Sequence, residues 1–174
     1  MAKTKLYPSP NNFGNKIPFL CSVQQILQEL GMTYLDLCLI HSPKLGKERT
    51  IEIWQGLIDA TKTGRVRSIG VSNMNRQEII ELNLATGVLP AVNQIQYHPW
   101  TPQRWKDLVR WHAKNEIVTI AYTSLGGARF HKHSSSSRSS SSSSSSSFLS
   151  SPIISDLATK YHVTEAQLLL RWAL

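Results

Sequence analysis

The sequence has few cysteines and no long apolar run. Its two cysteines, Cys21 and Cys38, form no CxxC pair and have no partners in a metal-ligand pattern. Both lie in apolar segments, so we expect buried thiols in a reducing compartment and no metal site. No segment approaches the ~18 apolar residues of a membrane span, and no signal-peptide core follows the first residues. We therefore expect a cytoplasmic protein with no membrane partner.

Acidic residues are also scarce, with 11 Asp and Glu against 19 Lys and Arg and a net charge of +8. The basic residues are scattered and form no block interleaved with aromatics, which argues against a nucleic-acid partner. A ligand that carries nucleotide phosphates would account for part of the excess. The length of 174 residues suits one domain with a core, but a complete eight-stranded β/α barrel usually needs roughly 250.

Short apolar segments that end in polar residues recur along the chain. Residues 34–41 lie between Gly31 and Pro43 and end at His41, and their length is typical of a strand buried on both faces. Similar strands with polar ends are predicted at residues 67–73, 91–98 and 117–122, and a short one at residues 2–6. Polar groups at the carboxyl ends of parallel strands mark the active face of β/α proteins. The pattern therefore predicts an enzyme-like site.

Helical segments separate these strands. Their predicted starts are Ser22 with Gln25, Thr50, Asn75 with Glu78, Thr101 before Pro102, Pro152, and Thr164 with Gln167. Five strands thus alternate with helices. Five parallel strands cannot close an eight-stranded barrel and leave two unpaired edges.

Some aromatic residues in these segments are expected to be structural. Trp54, Trp105 and Trp172 lie at helical spacing and are predicted to be core residues. His112 lies on the inner face of the fourth helix, where a packed or surface histidine is expected rather than a ligand. His98, before Pro99, is likewise expected to be structural.

The composition changes at residues 134–151, which are almost entirely serine. Such a segment cannot bury apolar surface, so we expect a disordered insertion tolerated in a loop; a phosphorylated basic-serine tail is the alternative. The predicted organisation is a β/α core at residues 1–133, this insertion, and a helical part of the same domain at residues 152–174.

Four motifs together resemble the aldo-keto reductase family. In chain order they are LDLCLIHSP at residues 35–43, GRVRSIGVSN at 64–73, VNQIQYHP at 92–99 and AYTSLG at 121–126. The resemblance covers residues 2–174 apart from the serine tract. It implies an α/β fold, a partial (β/α)8 TIM barrel holding the third to seventh strands. It also implies NADPH as cofactor, no metal, and an aldehyde or ketone as the small-molecule substrate.

The resemblance implies catalytic roles for two residues. His41 matches the histidine that orients and polarises the substrate carbonyl, and Lys5 matches the lysine that lowers the pKa of the catalytic tyrosine. The chemistry agrees, because hydride transfer to a carbonyl creates an alkoxide that needs a proton donor and stabilising groups. A nearby ammonium favours the ionised form of a phenol and makes it a better acid.

The resemblance also implies cofactor-binding roles. The matched positions are Ser72, Asn73, Gln94, Tyr122, Ser124, Leu125 and Gly126. In the family, the first three hydrogen-bond the nicotinamide carboxamide, the tyrosine position stacks on the ring, and the last three begin the loop over the pyrophosphate. Taken alone, Ser72 and Asn73 equally fit helix caps. A buried amide at Gln94 needs partners, which makes it the best cofactor-site candidate.

Some family residues have no counterpart among these 174 residues. They are the proton-donating tyrosine, the aspartate that pairs with the lysine, and the segment that holds the 2′-phosphate of NADP. The serine tract falls where the pyrophosphate loop belongs. Losing an essential catalytic group removes several orders of magnitude of rate, so we expect this chain to be impaired as a reductase.

Two other interpretations stay open. The first is a non-catalytic, cofactor-sensing or subunit-binding protein that pairs through the open sheet edges, as the potassium-channel β-subunits of the family use the same fold for a partner. The second is a truncated or wrongly spliced gene product, a fragment of a longer reductase.

Overall fold

Five strands in the described residues form one sheet whose strand order follows the chain. The computed structural model describes residues 3–6, 19–126 and 151–174. The strands are β1 Lys3–Leu6, β2 Leu35–Ile40, β3 Val66–Ser72, β4 Val92–Gln96 and β5 Val118–Tyr122. The sheet order is β1-β2-β3-β4-β5, and the first four strands pair in parallel. The predicted number and order of strands are confirmed.

Helices connect successive strands and follow the last one. They are α1 Phe19–Glu29, α2 Lys47–Lys62, α3 Arg76–Thr86, α4 Gln103–Lys114, α5 Pro152–Lys160 and α6 Glu165–Ala173, with a short 3₁₀ helix at Pro43–Leu45. The serine tract, apart from Ser151, lies outside the described residues. No helix in the described part of the chain has the length and apolar character to cross a bilayer.

Two predicted helix starts are confirmed in detail. Asn75 Oδ1 accepts a hydrogen bond from the Glu78 N–H at 3.1 Å, and Glu78 Oε2 accepts one from the Asn75 N–H at 2.7 Å. Thr164 and Gln167 form the same reciprocal box at the start of α6. These boxes satisfy two of the free N–H groups at each helix start, which fixes where the helices begin.

Two other predicted starts are wrong. The first helix begins at Phe19 rather than after Ser22. No glycine or proline lies between these two residues, so nothing prevents the helix from starting earlier. The second begins at Lys47 after Gly46, so Thr50 lies inside the helix rather than at its cap. The Thr50 hydroxyl donates instead to the Gly46 carbonyl at 2.7 Å, the back-bonding common for threonine within a helix.

The chain divides into two compact units, of which the first comprises Met1–Ile95 and Arg104–Ile120. Strand β2 is buried on both faces, as predicted. Its Cys38 and Ile40 pack in the main core with Trp54, whereas Leu37 and Leu39 pack in a separate cluster with Val92. Burial of this kind stabilises by roughly 1.5–3 kcal/mol for each large side chain.

Burial sets the chemistry of the thiol on this strand. Desolvation raises the pKa of Cys38 to about 12, so the thiol stays protonated and inert at neutral pH. The prediction of a buried thiol is confirmed for Cys38.

The second unit comprises Gln96–Gln103 and Ala121–Leu174. Its helices α5 and α6 bury few side chains, among them Ile154, Ala158 and Leu169. The prediction that Trp172 is a core residue is wrong, because its side chain is 41% exposed and lies beside Tyr97 with 5.0 Å between ring centroids. Trp54 is fully buried, as predicted, and Trp105 is half-buried.

Gly70 in β3 lies too close to both neighbouring strands for a side chain. An added Cβ would lie 2.6 Å from Leu39 Cδ2 and 2.6 Å from the Val92 carbonyl oxygen. The carbonyl belongs to the backbone and cannot move without disturbing the pairing of β3 with β4. Close packing at this position therefore requires glycine.

We expect Gly70→Ala to lower the free energy of unfolding by about 1–3 kcal/mol, the usual effect of overpacking. Urea denaturation monitored by circular dichroism measures this. Ser68→Ala, on the same strand, is the control because it adds no atoms. An unchanged denaturation midpoint for Gly70→Ala would contradict the close approach.

Candidate functional site

The carboxyl ends of β2, β3 and β4 bring several predicted residues together. Strand β2 ends at Ile40, which pairs with Val71, and His41 follows directly. Strand β3 ends at Ser72, which pairs with Gln94 of β4. In a parallel sheet these ends meet at one edge, where ligands of β/α proteins bind.

The turn after β3 is held by hydrogen bonds to both neighbouring strands. The buried Ser72 hydroxyl donates to the Gln94 carbonyl at 2.8 Å, and the Asn73 N–H donates to the same oxygen at 2.9 Å. On the other side, Asn73 Nδ2 donates to the His41 carbonyl at 3.0 Å and to Ser72 Oγ at 3.0 Å. These bonds join His41, the turn and Gln94 into one cluster.

Asn73 has a backbone φ of +60°, in the left-handed region that residues other than glycine seldom adopt. Asparagine tolerates this region better than most residues, and its surroundings must hold it there. Neither Ser72 nor Asn73 caps α3, because Asn75 has that role. The alternative in which they are simple helix caps is therefore wrong.

Gln94 carries a polar atom that the described residues do not satisfy. Its side-chain oxygen Oε1 is buried and has no hydrogen-bond partner among them. Leaving a buried acceptor unpaired costs about 1–3 kcal/mol. A ligand that presents an N–H group at this strand end would remove the cost, and a carboxamide is such a group.

Lys5 and His41 belong to neighbouring strands: Lys5 lies in β1, and His41 directly follows β2. The backbone of Lys5 pairs with Leu39, two residues before His41. His41 is half-buried. The two predicted catalytic residues thus occupy neighbouring strands near the same edge of the sheet.

The remaining predicted residues belong to the second unit. Tyr122 ends β5 and is half-buried, and its carbonyl accepts a hydrogen bond from the Tyr97 N–H at 3.3 Å. The turn that follows closes where the Gly126 N–H donates to the Thr123 carbonyl at 2.8 Å. Leu125 is 39% exposed in this turn, whereas Gly126 is buried.

A buried polar chain behind the turn was not predicted from the sequence as part of the site. Asn93 Nδ2 donates to the Met74 carbonyl at 2.8 Å and lies 3.1 Å from His112 Nε2. His112 Nδ1 lies 2.9 Å from Thr119 Oγ1. Both Asn93 and His112 are fully buried. The sequence signal was a polar residue within an apolar strand and a histidine on the inner face of a helix.

The hydrogen bonds fix the protonation of His112. Because Asn93 Nδ2 is a donor, His112 Nε2 must accept, so its proton is on Nδ1 and donates to the Thr119 hydroxyl. The imidazole is therefore neutral. Burial lowers its pKa from 6.5 to about 4, in agreement with this assignment.

This lowered pKa predicts a loss of stability in mild acid. Below pH 6.5 the unfolded chain binds a proton at His112 that the folded chain excludes, until the pH nears the folded pKa of about 4. Stability should therefore fall as pH falls through this window. We expect His112 to account for a loss of roughly 2 kcal/mol between about pH 7.5 and about pH 5.

Urea denaturation at these two pH values measures the loss. His112→Gln, which does not titrate, should lose less stability than the natural sequence over the same window. Equal losses in the two proteins would contradict a buried, neutral His112.

Comparison with known proteins identifies the family of this chain. The sequence model of the Aldo/keto reductase family matches residues 2–174. The chain belongs to this family. An aldo-keto reductase of Mycobacterium avium (strain 104) is 36% identical over 155 residues, which are 88% of this chain and 46% of that protein. The 2,5-diketo-D-gluconic acid reductase B of Corynebacterium sp. (strain SHS752001) is 36% identical over 151 residues, 87% of this chain and 48% of that protein.

A solved aldo-keto reductase shares the fold. The Bombyx mori enzyme in complex with NADP superposes with a TM-score of 0.75 at 30% identity, over 98% of this chain and 53% of that one. The chain thus spans about half the length of the relatives it matches. The predicted family and the predicted fold class, part of a parallel β/α barrel, are both confirmed.

Among the residues that the structure describes, no group of three or more His, Cys, Asp or Glu side chains is placed to hold a metal ion. The polar cluster at the strand ends consists instead of a hydroxyl, two amides and an imidazole residue. Such groups suit a neutral, hydrogen-bonding part of an organic ligand.

Proposed function

We propose that this chain carries the nicotinamide-binding part of an NADPH-dependent aldo-keto reductase. Such an enzyme transfers hydride between the cofactor and an aldehyde or ketone, with the alcohol as substrate in the reverse direction. The observation that carries the proposal is the buried Oε1 of Gln94, which lies at the strand end beside the Ser72–Asn73 turn and has no hydrogen-bond partner in the described part of the chain. Family membership supports the reaction class, and the NADP complex of the Bombyx mori relative supports the cofactor.

The residues present fit a nicotinamide carboxamide. Its amide N–H can donate to Gln94 Oε1, the one member of the cluster whose oxygen lacks a partner among the described residues. The Ser72 hydroxyl proton is engaged by the Gln94 carbonyl, and the Asn73 amide protons by the His41 carbonyl and Ser72 Oγ. We assign these two residues to the wall of the carboxamide site and Gln94 to its first hydrogen bond.

For the second unit the assignment rests on the resemblance alone. Tyr122 is proposed to stack on the nicotinamide ring, because a flat aromatic fixes which face of the ring is presented. Ser124, Leu125 and Gly126 are proposed to begin the segment that binds the pyrophosphate.

His41 and Lys5 are proposed to serve the reaction itself. The bound cofactor would supply hydride, which turns the carbonyl oxygen into an alkoxide. His41 would hold and polarise that oxygen by a hydrogen bond, which is worth most as negative charge develops. The Lys5 ammonium would lower the pKa of a proton-donating phenol beside it. The position of Lys5 next to Leu39, near the end of β2, supports the pairing of these two roles.

Gln94→Leu should weaken NADPH binding without destabilising the fold. The substitution removes the acceptor for the carboxamide, and one hydrogen bond is worth about 0.5–1.5 kcal/mol, or roughly a two- to tenfold rise in Kd. It also removes a buried oxygen that has no partner in the described part of the protein, so stability should be unchanged or slightly higher. Isothermal titration calorimetry and urea denaturation measure the two effects.

Gln55→Ala is the matched control, because Gln55 is an exposed glutamine on α2 that bonds only to Asp59 among the described contacts. Its Kd should equal that of the natural sequence. Unchanged NADPH affinity in Gln94→Leu would rule out Gln94 as the carboxamide contact.

The 174-residue chain alone should bind NADPH but reduce aldehydes very slowly. The family's proton-donating tyrosine has no match among these residues, and loss of such a group removes several orders of magnitude of rate. Oxidation of NADPH with a model aldehyde, followed by absorbance, measures this beside a full-length relative as positive control. Turnover at the rate of the relative would show that another residue donates the proton.

A further inference from the structure

The turn that carries Ser72 and Asn73 has support from behind as well as from the strands beside it. Asn73 is held in a left-handed conformation, with φ of +60°. Its own N–H and side chain are bonded to β4 and to His41. The next residue, Met74, is fully buried, and its carbonyl accepts a hydrogen bond from Asn93 at 2.8 Å. The position of the turn therefore depends on the orientation of the Asn93 amide.

His112 gives the Asn93 amide a second anchor. Asn93 Nδ2 has two hydrogens, one for the Met74 carbonyl and one for His112 Nε2 at 3.1 Å. An amide rotated by half a turn would direct Oδ1 at the Met74 carbonyl, so that two acceptors would face each other. It would also lose the bond to the imidazole. The Met74 carbonyl thus selects the orientation of the amide, and the accepting nitrogen of His112 holds the amide at a second point.

Thr119 anchors the other side of the imidazole. Its hydroxyl lies 2.9 Å from His112 Nδ1 and, because Nε2 accepts from Asn93, it accepts the Nδ1 proton. If the proton were on Nε2 instead, the N–H of His112 would face the N–H of Asn93, and two donors would meet. Each bond in this buried chain therefore depends on the one behind it, and buried networks of this kind are strongly coupled.

We propose that His112 is a positioning residue for the cofactor site, which acts through Asn93 and the Met74 carbonyl on the Ser72–Asn73 turn. Nothing in the proposed reaction uses His112 directly, and it lies on α4 rather than at a strand end. The effect of His112 on cofactor affinity rests on the proposed function. The effect on the turn stands on the hydrogen bonds alone.

The test combines two measurements on the 174-residue chain. The first is the Kd for NADPH. The second is hydrogen exchange of the Asn73 amide relative to that of Leu35, whose N–H donates to the Arg65 carbonyl at the opposite end of the sheet. The ratio separates local opening of the turn from global unfolding.

Three variants are compared with the natural sequence. His112→Leu removes the acceptor, and His112→Gln restores one in a similar place. Leu57→Ala is a matched destabilising control, because Leu57 is fully buried in α2 and outside the polar chain. If His112 only stabilises the fold, His112→Leu should give the same Kd for NADPH and the same exchange ratio as Leu57→Ala.

We expect His112→Leu to raise the Kd for NADPH about fivefold, the equivalent of one hydrogen bond, and to speed exchange of Asn73 relative to Leu35 by a similar factor. His112→Gln should recover most of both effects. Leu57→Ala should change neither the Kd of the folded protein nor the exchange ratio. If both readouts of His112→Leu match those of Leu57→Ala, the proposal is overturned.

Two further outcomes are decisive. If His112→Leu does not fold, Asn93→Leu replaces it, since this variant removes the bonds to both the Met74 carbonyl and His112 Nε2. An unchanged exchange ratio in Asn93→Leu would then overturn the proposal. If the natural sequence shows no saturable NADPH binding, the proposed function fails. The exchange ratio alone then decides whether His112 holds the turn.

Discussion

The candidate site depends on one turn held between two strands. The Ser72 hydroxyl and the Asn73 N–H converge on the Gln94 carbonyl of β4, and the Asn73 side chain binds the His41 carbonyl that follows β2. Since these acceptors are backbone oxygens of separate strands, the turn keeps its place only while three strands keep their parallel register. The left-handed backbone of Asn73 is tolerated because it is fixed on both sides.

Strand β4 contributes to both sides of this arrangement. Successive residues of a strand point to opposite faces. Asn93 accordingly reaches towards α4, where it bonds to His112 and supports the Met74 carbonyl from behind. Its neighbour Gln94 supplies the side-chain oxygen at the strand end that no described residue pairs with. The residue that supports the turn and the residue proposed to contact the cofactor are thus adjacent in β4. A change in the register of this strand would disturb both.

Local signals in the sequence were sufficient for much of this structure. Short apolar runs that end in polar residues predicted the strands, and Asn75 with Glu78 predicted a helix start, because a capping box involves residues only three apart. The start of α2 was missed because Gly46 has no side chain to reveal a cap. Thr50 resembled a cap, yet its hydroxyl bonds back to Gly46 within the helix.

Contacts between distant residues were harder to predict. Asn93 and His112 are 19 residues apart in the chain, and no residue near either of them in the sequence indicates the contact. Helical spacing showed which face of α6 carries Trp172 but not whether anything covers it. The motifs predicted site roles for His41, Ser72, Asn73 and Gln94, whereas the polar chain behind them required the fold. Such non-local pairs follow from packing rather than from periodicity.

The measurement that tests the central claim most directly is a titration of the 174-residue chain with NADPH, followed by the side-chain amide signal of Gln94 in NMR spectra. Adenosine 2′,5′-bisphosphate, which lacks the nicotinamide, is the control ligand. We predict a saturable shift of the Gln94 signal with NADPH and none with the control. A Gln94 signal that NADPH leaves unchanged would contradict a nicotinamide site at the ends of β3 and β4.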